Sequence, residues 1–197
     1  MSKFIKIIVN KSRKEFRNIQ YLPQVIRLYE RFPSYLHDDY FLKMQKSSVD
    51  AVVNLVEKTS PFFWVVLDEK TSRVAGFVFL DNWVGAGQNF HSAEITTCFE
   101  PAYWGKYTKI CAKKFIKYCF KKYKIKKLKA YVFPQNFKVR TLLKKSGFKS
   151  EAILKAETVK NEELQDIEVF SIIKREKPAE VEITSEARFK QGEIPFL

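Results

Sequence analysis

The residues best spaced for chemistry lie at positions 100–122, EPAYWGKYTKICAKKFIKYCFKK. A Glu-Pro-Ala turn leads into Trp104-Gly105-Lys106, and a lysine-rich helix is expected to follow. A short glycine turn that opens a helix gathers backbone N–H groups at the positive end of the helix dipole, where proteins hold phosphates. Such loops usually carry a second small residue so that the main chain can approach its ligand, and here Tyr107 follows Gly105-Lys106 instead. Three readings stay open: a phosphate cradle, a cradle altered by a ring, or a plain helix start. The cysteines offer less. Cys98, Cys111 and Cys119 form no C-x-x-C pair, and two histidines cannot complete a zinc site alone, so no metal is expected. Cys98 has no histidine close in sequence to activate it as a nucleophile.

The elements that must position this turn follow from composition and pattern. The chain has 197 residues, 46% of them hydrophobic, which is ample for one packed domain; positions 1–176 read as that domain and 177–197 as an extension. No apolar run approaches the roughly 20 residues a membrane span needs. The opening MSKFIKIIVNKSRKEF is too charged for a signal peptide, so a cytoplasmic protein with reduced, buried cysteines is expected. The net charge of +14 points to an anionic ligand or surface.

Along the chain, FIKIIV (4–9) reads as a strand, and Val25, Ile26, Leu28, Tyr29 and Phe32 mark a helix that stops before Pro33. SYLHDDYF reads as a loop. Ser47 with Asp50 forms an N-terminal box for a second helix, with Val49, Val52, Val53 and Val56 on its inner stripe. Two strands follow in 61–83, turning at 68–73, and GAGQN turns into a third, HSAEITTCF. That strand alternates Ala93, Ile95, Thr97 and Phe99 on one face with Glu94, Thr96 and Cys98 on the other. In the lysine-rich helix, Cys111, Phe115, Ile116, Cys119 and Phe120 face inward while Lys113, Lys117 and Lys121 face out. KKLKAYVF is a strand, NFKVRTLLKKSGF a helix that Gly147 ends, and KSEAILK with IEVFSIIK two closing strands joined by the loop VKNEELQD. The order predicts an α/β (α+β) fold with a mixed, mostly antiparallel central sheet flanked by helices, and one strand–helix–strand crossover after Phe99. Ligands bind in such sheets at the carboxyl ends of strands where the connection changes character.

Three motifs in order carry a resemblance: Trp104-Gly105-Lys106 after a strand and Pro101, Asn136 opening a helix in PQNFKVRTLL, and the helix-ending Lys144-Lys145-Ser146-Gly147-Phe148. Together they resemble the GNAT N-acetyltransferase superfamily over about 62–175, nearest the branch of the ribosomal-protein N-terminal acetyltransferases. The resemblance implies transfer of an acetyl group from acetyl-CoA to an amine acceptor, small molecule or protein. It implies that backbone groups of Thr97, Cys98 and Phe99 pair with the pantetheine arm. The N–H groups of Gly105, Lys106, Tyr107 and Thr108 would hold the pyrophosphate, Asn136 the arm, and Arg140 or Lys144 a phosphate. Glu94 is then the candidate general base, acting through a water, and the N–H of Cys98 or Phe99 the candidate donor to the thioester oxygen. His37, Asp38 and Asp39, with Asp81 near, would face the acceptor. The sequence departs from the family in four places: Ala102 or Tyr103 replaces the loop's leading cation, Tyr107 its second glycine, Val139 the serine common in the asparagine helix, and Leu143 the tyrosine that protonates the leaving thiolate. Tyr107 and Tyr131 are the candidates for that missing acid.

Two other readings compete. One is a GNAT-fold protein that has lost its chemistry and serves binding or structure, for which the altered loop argues. The other is a nucleic-acid binder using Lys106, Lys109, Lys113, Lys117 and Lys121, which needs basic residues interleaved with exposed aromatics. The aromatics here fall on the inward stripe, so nucleic acid is the least expected partner.

Overall fold

A computed structural model describes residues 2–86 and 89–174. In chain order these form β1 (Ser2–Asn10), β2 (Glu15–Arg17), α1 (Leu22–Arg31), α2 (Pro33–Leu36), α3 (Asp39–Met44), α4 (Ser48–Thr59), β3 (Phe63–Asp68) and β4 (Arg73–Ala86). There follow β5 (Asn89–Phe99), α5 (Lys106–Lys122), β6 (Lys127–Val132), α6 (Phe137–Lys145), β7 (Lys149–Lys160) and β8 (Glu163–Ile173). The expected extension at 177–197 lies outside the described residues, as do positions 87 and 88 of the expected GAGQN turn.

One eight-stranded sheet runs β2-β1-β3-β4-β5-β6-β8-β7, and every neighbouring pair is antiparallel except β5 and β6. That parallel pair is made by the crossover through α5. The strand alternation sorts side chains into two cores. Ile7, Phe63, Val65, Leu67, Phe77, Phe79 and Cys98 meet α1 and α4 on one face. Trp64, Val66, Val78, Leu80, Ala93 and Phe99 meet Cys111, Phe115, Ile116 and Cys119 of α5 and Leu143 of α6 on the other. All of β3 is buried because both its faces are covered. The three cysteines are free and buried, as expected.

Several elements differ from the sequence expectation. The SYLHDDYF segment is two short helices, because Pro33 opens α2 and the Asp38 carboxylate accepts the Phe41 N–H to cap α3. The Ser47–Asp50 box forms in both directions, at 3.1 and 2.7 Å, but the buried stripe of α4 is Ala51, Val52, Leu55 and Val56, while Val49 faces solvent. The closing hairpin is longer than expected. Its polar loop is strand, because Asn161 and Glu162 both take positive φ and make a two-residue turn. The short β2 carries no pattern that distinguishes it from a loop.

Gly76 of β4 sets how closely β5 approaches. A Cβ there would stand 2.4 Å from the Cys98 carbonyl oxygen and 2.8 Å from the Phe99 ring, neither of which is a flexible chain end. Gly76→Ala is expected to cost about 1–3 kcal/mol by overpacking, read as a lower urea midpoint; an unchanged midpoint would contradict this approach of β4 to β5.

Candidate active site

The site is built from a break in the sheet. β5 and β6 pair over only three positions, Ser92–Lys127, Ala93–Leu128 and Glu94–Lys129, and then part. Each strand keeps its outer neighbour: β5 stays registered with β4 through Gly76–Phe99, and β6 with β8 through Val132–Glu168. Two hydrogen bonds fix which groups the gap receives. The Glu100 N–H donates to the Ala75 carbonyl, toward β4, while the His91 carbonyl accepts from the Lys126 N–H, toward β6. Alternation along β5 therefore turns the N–H and C=O of Ile95, Thr97 and Phe99 into the gap, and those of Glu94, Thr96 and Cys98 toward β4. Thr97 and Phe99 are where the sequence reading placed them. Cys98 is not: its amide belongs to the β4 ladder and cannot serve pantetheine or the thioester oxygen. Ile95 takes its place, a position that parity alone could have found. The Phe99 carbonyl is already used, accepting from the Trp104 indole at 2.8 Å. Burial pushes the Cys98 thiol up to about 12, which removes it as a nucleophile at neutral pH.

The expected cradle stands at the open end of this gap. Gly105 has φ 93 and ψ −120, a conformation that L side chains rarely adopt, and a Cβ there would meet no atom within 4 Å. No side chain caps α5, and Lys109 is the residue whose N–H returns to the Gly105 carbonyl. The amides of Lys106, Tyr107 and Thr108 open the helix with no preceding carbonyl to use. The Thr108 hydroxyl donates back to the Tyr103 carbonyl at 2.7 Å and fixes the turn. The Tyr107 ring does not plug the bend. It packs on Tyr103 with centroids 4.9 Å apart, and its hydroxyl lies 3.4 Å from the Leu67 carbonyl of β3, two strands from the gap on the β4 side. That orientation also removes Tyr107 as an acid for the leaving thiolate.

On the α6 side, Asn136 caps its helix by accepting the Val139 N–H at 3.3 Å, and its amide NH2 has no partner among the described residues. Arg140 is committed elsewhere. Its Nε lies 2.5 Å from the buried Glu168 carboxylate and its Nη1 donates to the Pro134 carbonyl at 3.1 Å, so it is not available for a phosphate as expected from sequence. Lys138, which the sequence reading passed over, stands with its ammonium 4.4 Å from the Trp104 ring beside the loop. It supplies a cation where the loop lacks its leading one, and its position two residues after Asn136 was the available signal.

The gap opens into a cleft of about 400 Å³ that passes from α5 and α6 through the sheet to α2, α3 and β7. Ile95, Thr97, Asn136 and Leu143 line one part; Tyr35, His37, Asp38, Tyr131 and Glu157 line the other. Among the described residues no lysine or arginine lines it, in a chain of charge +14. His37 is stacked on Phe41 at 3.8 Å, and burial lowers its pKa to about 4, so it stands neutral at pH 7. Asp39 does not line the cleft, and it accepts the Glu162 N–H at 2.9 Å. Beside the pinch of the gap, Glu94 is held on both oxygens, by Asn82 at 2.7 Å and by Lys129 at 3.2 Å. Its cross-strand partner is Asp81, whose pKa rises to about 6 through burial first and the Glu94 charge second. Two coupled carboxylates with different environments are a pattern suited to proton transfer. Neither lines the cleft directly, so a proton would pass by way of water.

A sheet split between parallel strands, with uncapped helix amides at the mouth of the split, is the frame of a coenzyme A-dependent acyltransferase. The chain belongs to the GNAT acetyltransferase family: the acetyltransferase (GNAT) domain matches residues 15–149. It accordingly catalyses acetyl transfer from acetyl-CoA to an amine. Among solved structures, a chimera of the Vibrio cholerae spermidine N-acetyltransferase SpeG with hSSAT is similar at a TM-score of 0.68 and 19% identity, over 87% of this chain and 95% of that one. The Vibrio cholerae spermidine N-acetyltransferase in complex with CoA and spermine gives 0.64 and 20%, over 87% and 95%. A Bacillus anthracis acetyltransferase of the GNAT family gives 0.56 and 23%, over 75% and 90%. Identities this low speak to the fold. No curated protein matches the sequence. Among the described residues no helix is long and apolar enough to cross a membrane, and no cluster of ligands could hold a metal ion.

The two shifted groups give opposite pH signatures. Asp81 has a folded pKa above its unfolded one, so its stabilising effect is full below about 4 and is lost as pH rises through about 6. Asp81→Asn is therefore expected to raise Tm by a few degrees at pH 7.5 and to lose that gain by pH 4. The folded pKa of His37 is depressed, so its contribution is present above about 6.5 and lost as pH falls toward 4. His37→Phe should flatten the acid slope of Tm across that window. Thermal melts of both variants at pH 4, 5.5 and 7.5 check the signs; equal slopes in wild type and variants would contradict the assigned environments.

Proposed function

We propose that the protein acetylates a cationic amine, holding acetyl-CoA in the β5–β6 gap with its pyrophosphate on the turn at Gly105. The observation that carries this reading is the alternation of β5, which leaves the amides of Ile95, Thr97 and Phe99 facing the gap at the edge of a cleft that no lysine or arginine lines among the described residues. The pantetheine arm would pair with those groups and with the Asn136 amide. The pyrophosphate would take the amides of Gly105 to Thr108 and the Lys138 ammonium. Charge-assisted hydrogen bonds of that kind contribute about 1.5–3 kcal/mol each. Glu94, with Asp81 beside it, receives the acceptor's proton through water. Tyr131, 43% exposed and lining the cleft, stands as donor to the departing thiolate in place of the tyrosine that Leu143 replaces.

The acceptor end favours a slender ammonium. The Thr158 hydroxyl donates to Asp38 at 3.1 Å and the Glu162 N–H donates to Asp39, so the β7–β8 hairpin is tied across α3. A protein N-terminus, the acceptor in the ribosomal-protein branch that the motifs resemble, is one such group, and a polyamine, the kind of ligand bound in the Vibrio cholerae enzyme, is another. With free cysteines and, among the described residues, no helix apolar enough to cross a membrane, a cytoplasmic setting fits this reading, which takes 1–176 as the acetyltransferase domain.

Isothermal calorimetry with acetyl-CoA and CoA tests the reading. Saturable heat with both is expected, and its absence at high micromolar ligand would end the enzyme assignment in favour of a structural role. Gly105→Ala, strained at φ 93, should weaken acetyl-CoA about tenfold or more. Glu94→Gln should lower kcat by about 10²-fold while acetyl-CoA affinity holds; an unchanged kcat would move the base to Asp81.

A further inference from the structure

We propose that Glu157 receives a second, non-reacting ammonium of the acceptor, which makes it the residue that selects diamines and polyamines over monoamines. This rests on the acetyltransferase reading above. In β7 the ladder with β8 skips from Leu154–Ile167 to Thr158–Gln165, setting three residues of β7 against the single Asp166. A bulge of this kind bends the strand and re-aims a side chain. Ala156, at its centre, has φ 51, a left-handed conformation that costs energy for any residue with a Cβ. The strain is held by one carboxylate: Asp166 accepts the Ala156 N–H at 3.1 Å and pairs with Lys155 at 2.7 Å. Lys155 is thereby kept off Glu157, which the bulge turns into the cleft.

Two carboxylates line that cleft. Asp38 is spent on the α3 cap and on Thr158, whereas Glu157 has no partner among the described residues. The surroundings suit a cation. Among the described residues no lysine or arginine lines the cleft wall, and His37 is neutral there. One ammonium already stands at this rim, since Lys160 places its Nζ 4.3 Å from the Phe133 ring and 4.7 Å from the Tyr35 ring, both of which line the cleft, so a second cation there depends on the carboxylate of Glu157. Glu157 lies past the Leu154–Ile167 pair, toward the wide end of the gap, whereas Glu94 and Asp81 flank its narrow end. A linear acceptor with one amine at the narrow end would bring its second ammonium to the rim.

The test compares 1,4-diaminobutane with butylamine in wild type, Glu157→Gln and Glu157→Asp, after thermal melts confirm folding. The ratio of kcat/KM for diamine over monoamine is expected to fall about tenfold or more in Glu157→Gln, mainly through KM, with partial recovery in Glu157→Asp. An unchanged ratio overturns the proposal. If the wild type binds acetyl-CoA and acetylates neither amine, calorimetry of 1,4-diaminobutane on the CoA complex decides: weaker binding in Glu157→Gln supports the proposal and equal binding overturns it. Absence of acetyl-CoA binding removes the acetyltransferase reading itself, and this proposal with it.

Discussion

Everything in this protein turns on the failure of two parallel strands to stay paired. A sheet normally satisfies its own backbone, and a buried N–H or C=O without a partner is costly. Here β5 and β6 share three rungs and then separate, each still held on its far edge by an antiparallel neighbour. The separation is wedged from one face by α5 and α6, whose Phe115, Ile116 and Leu143, with Phe148 just beyond α6, fill the floor beneath it. The unpaired groups that result stand in a fixed row at strand spacing. In the reading proposed above, the amides of the pantetheine arm pair with this row.

The rest of the site follows from the direction of that split. Because both strands run the same way, the wide end of the gap lies at their carboxyl ends, and the crossover must begin there. The first turn of α5 is thus delivered to the mouth, with its amides uncapped and its dipole pointing at whatever enters. On the opposite face the start of α3 is tied to the β7–β8 hairpin through Asp38 and Asp39, beside a cleft that no lysine or arginine lines among the described residues. One cleft therefore has an end suited to anions and an end suited to cations. That polarity fits a reaction between a phosphorylated donor and an ammonium.

Much of this was legible from sequence, and the exceptions have physical causes. The alternation of HSAEITTCF sorted the faces of β5 correctly, since side chains of period two report burial. Side-chain pattern does not report which edge a backbone amide faces, and so Cys98 was placed in the gap when it belongs to β4. Tyr107 looked like an obstruction because a sequence position fixes where a Cα lies but not which rotamer its ring takes. The fate of Arg140 depended on a buried Glu168 twenty-eight positions away, a pairing that only the fold brings together. The loop at 159–166 was read from its polarity, yet a polar edge hairpin satisfies its backbone internally and stays strand. The bulge at Ala156 had no sequence mark at all, because alanine ordinarily avoids the conformation it takes there.

Amide hydrogen exchange along β5, resolved residue by residue with and without acetyl-CoA, tests the central claim most directly. The cofactor is expected to slow exchange at Ile95, Thr97 and Phe99 and at Lys106 to Thr108, while Glu94, Thr96 and Cys98, already bonded to β4, change little. Protection that rises equally at odd and even positions, or at none of them, would contradict it.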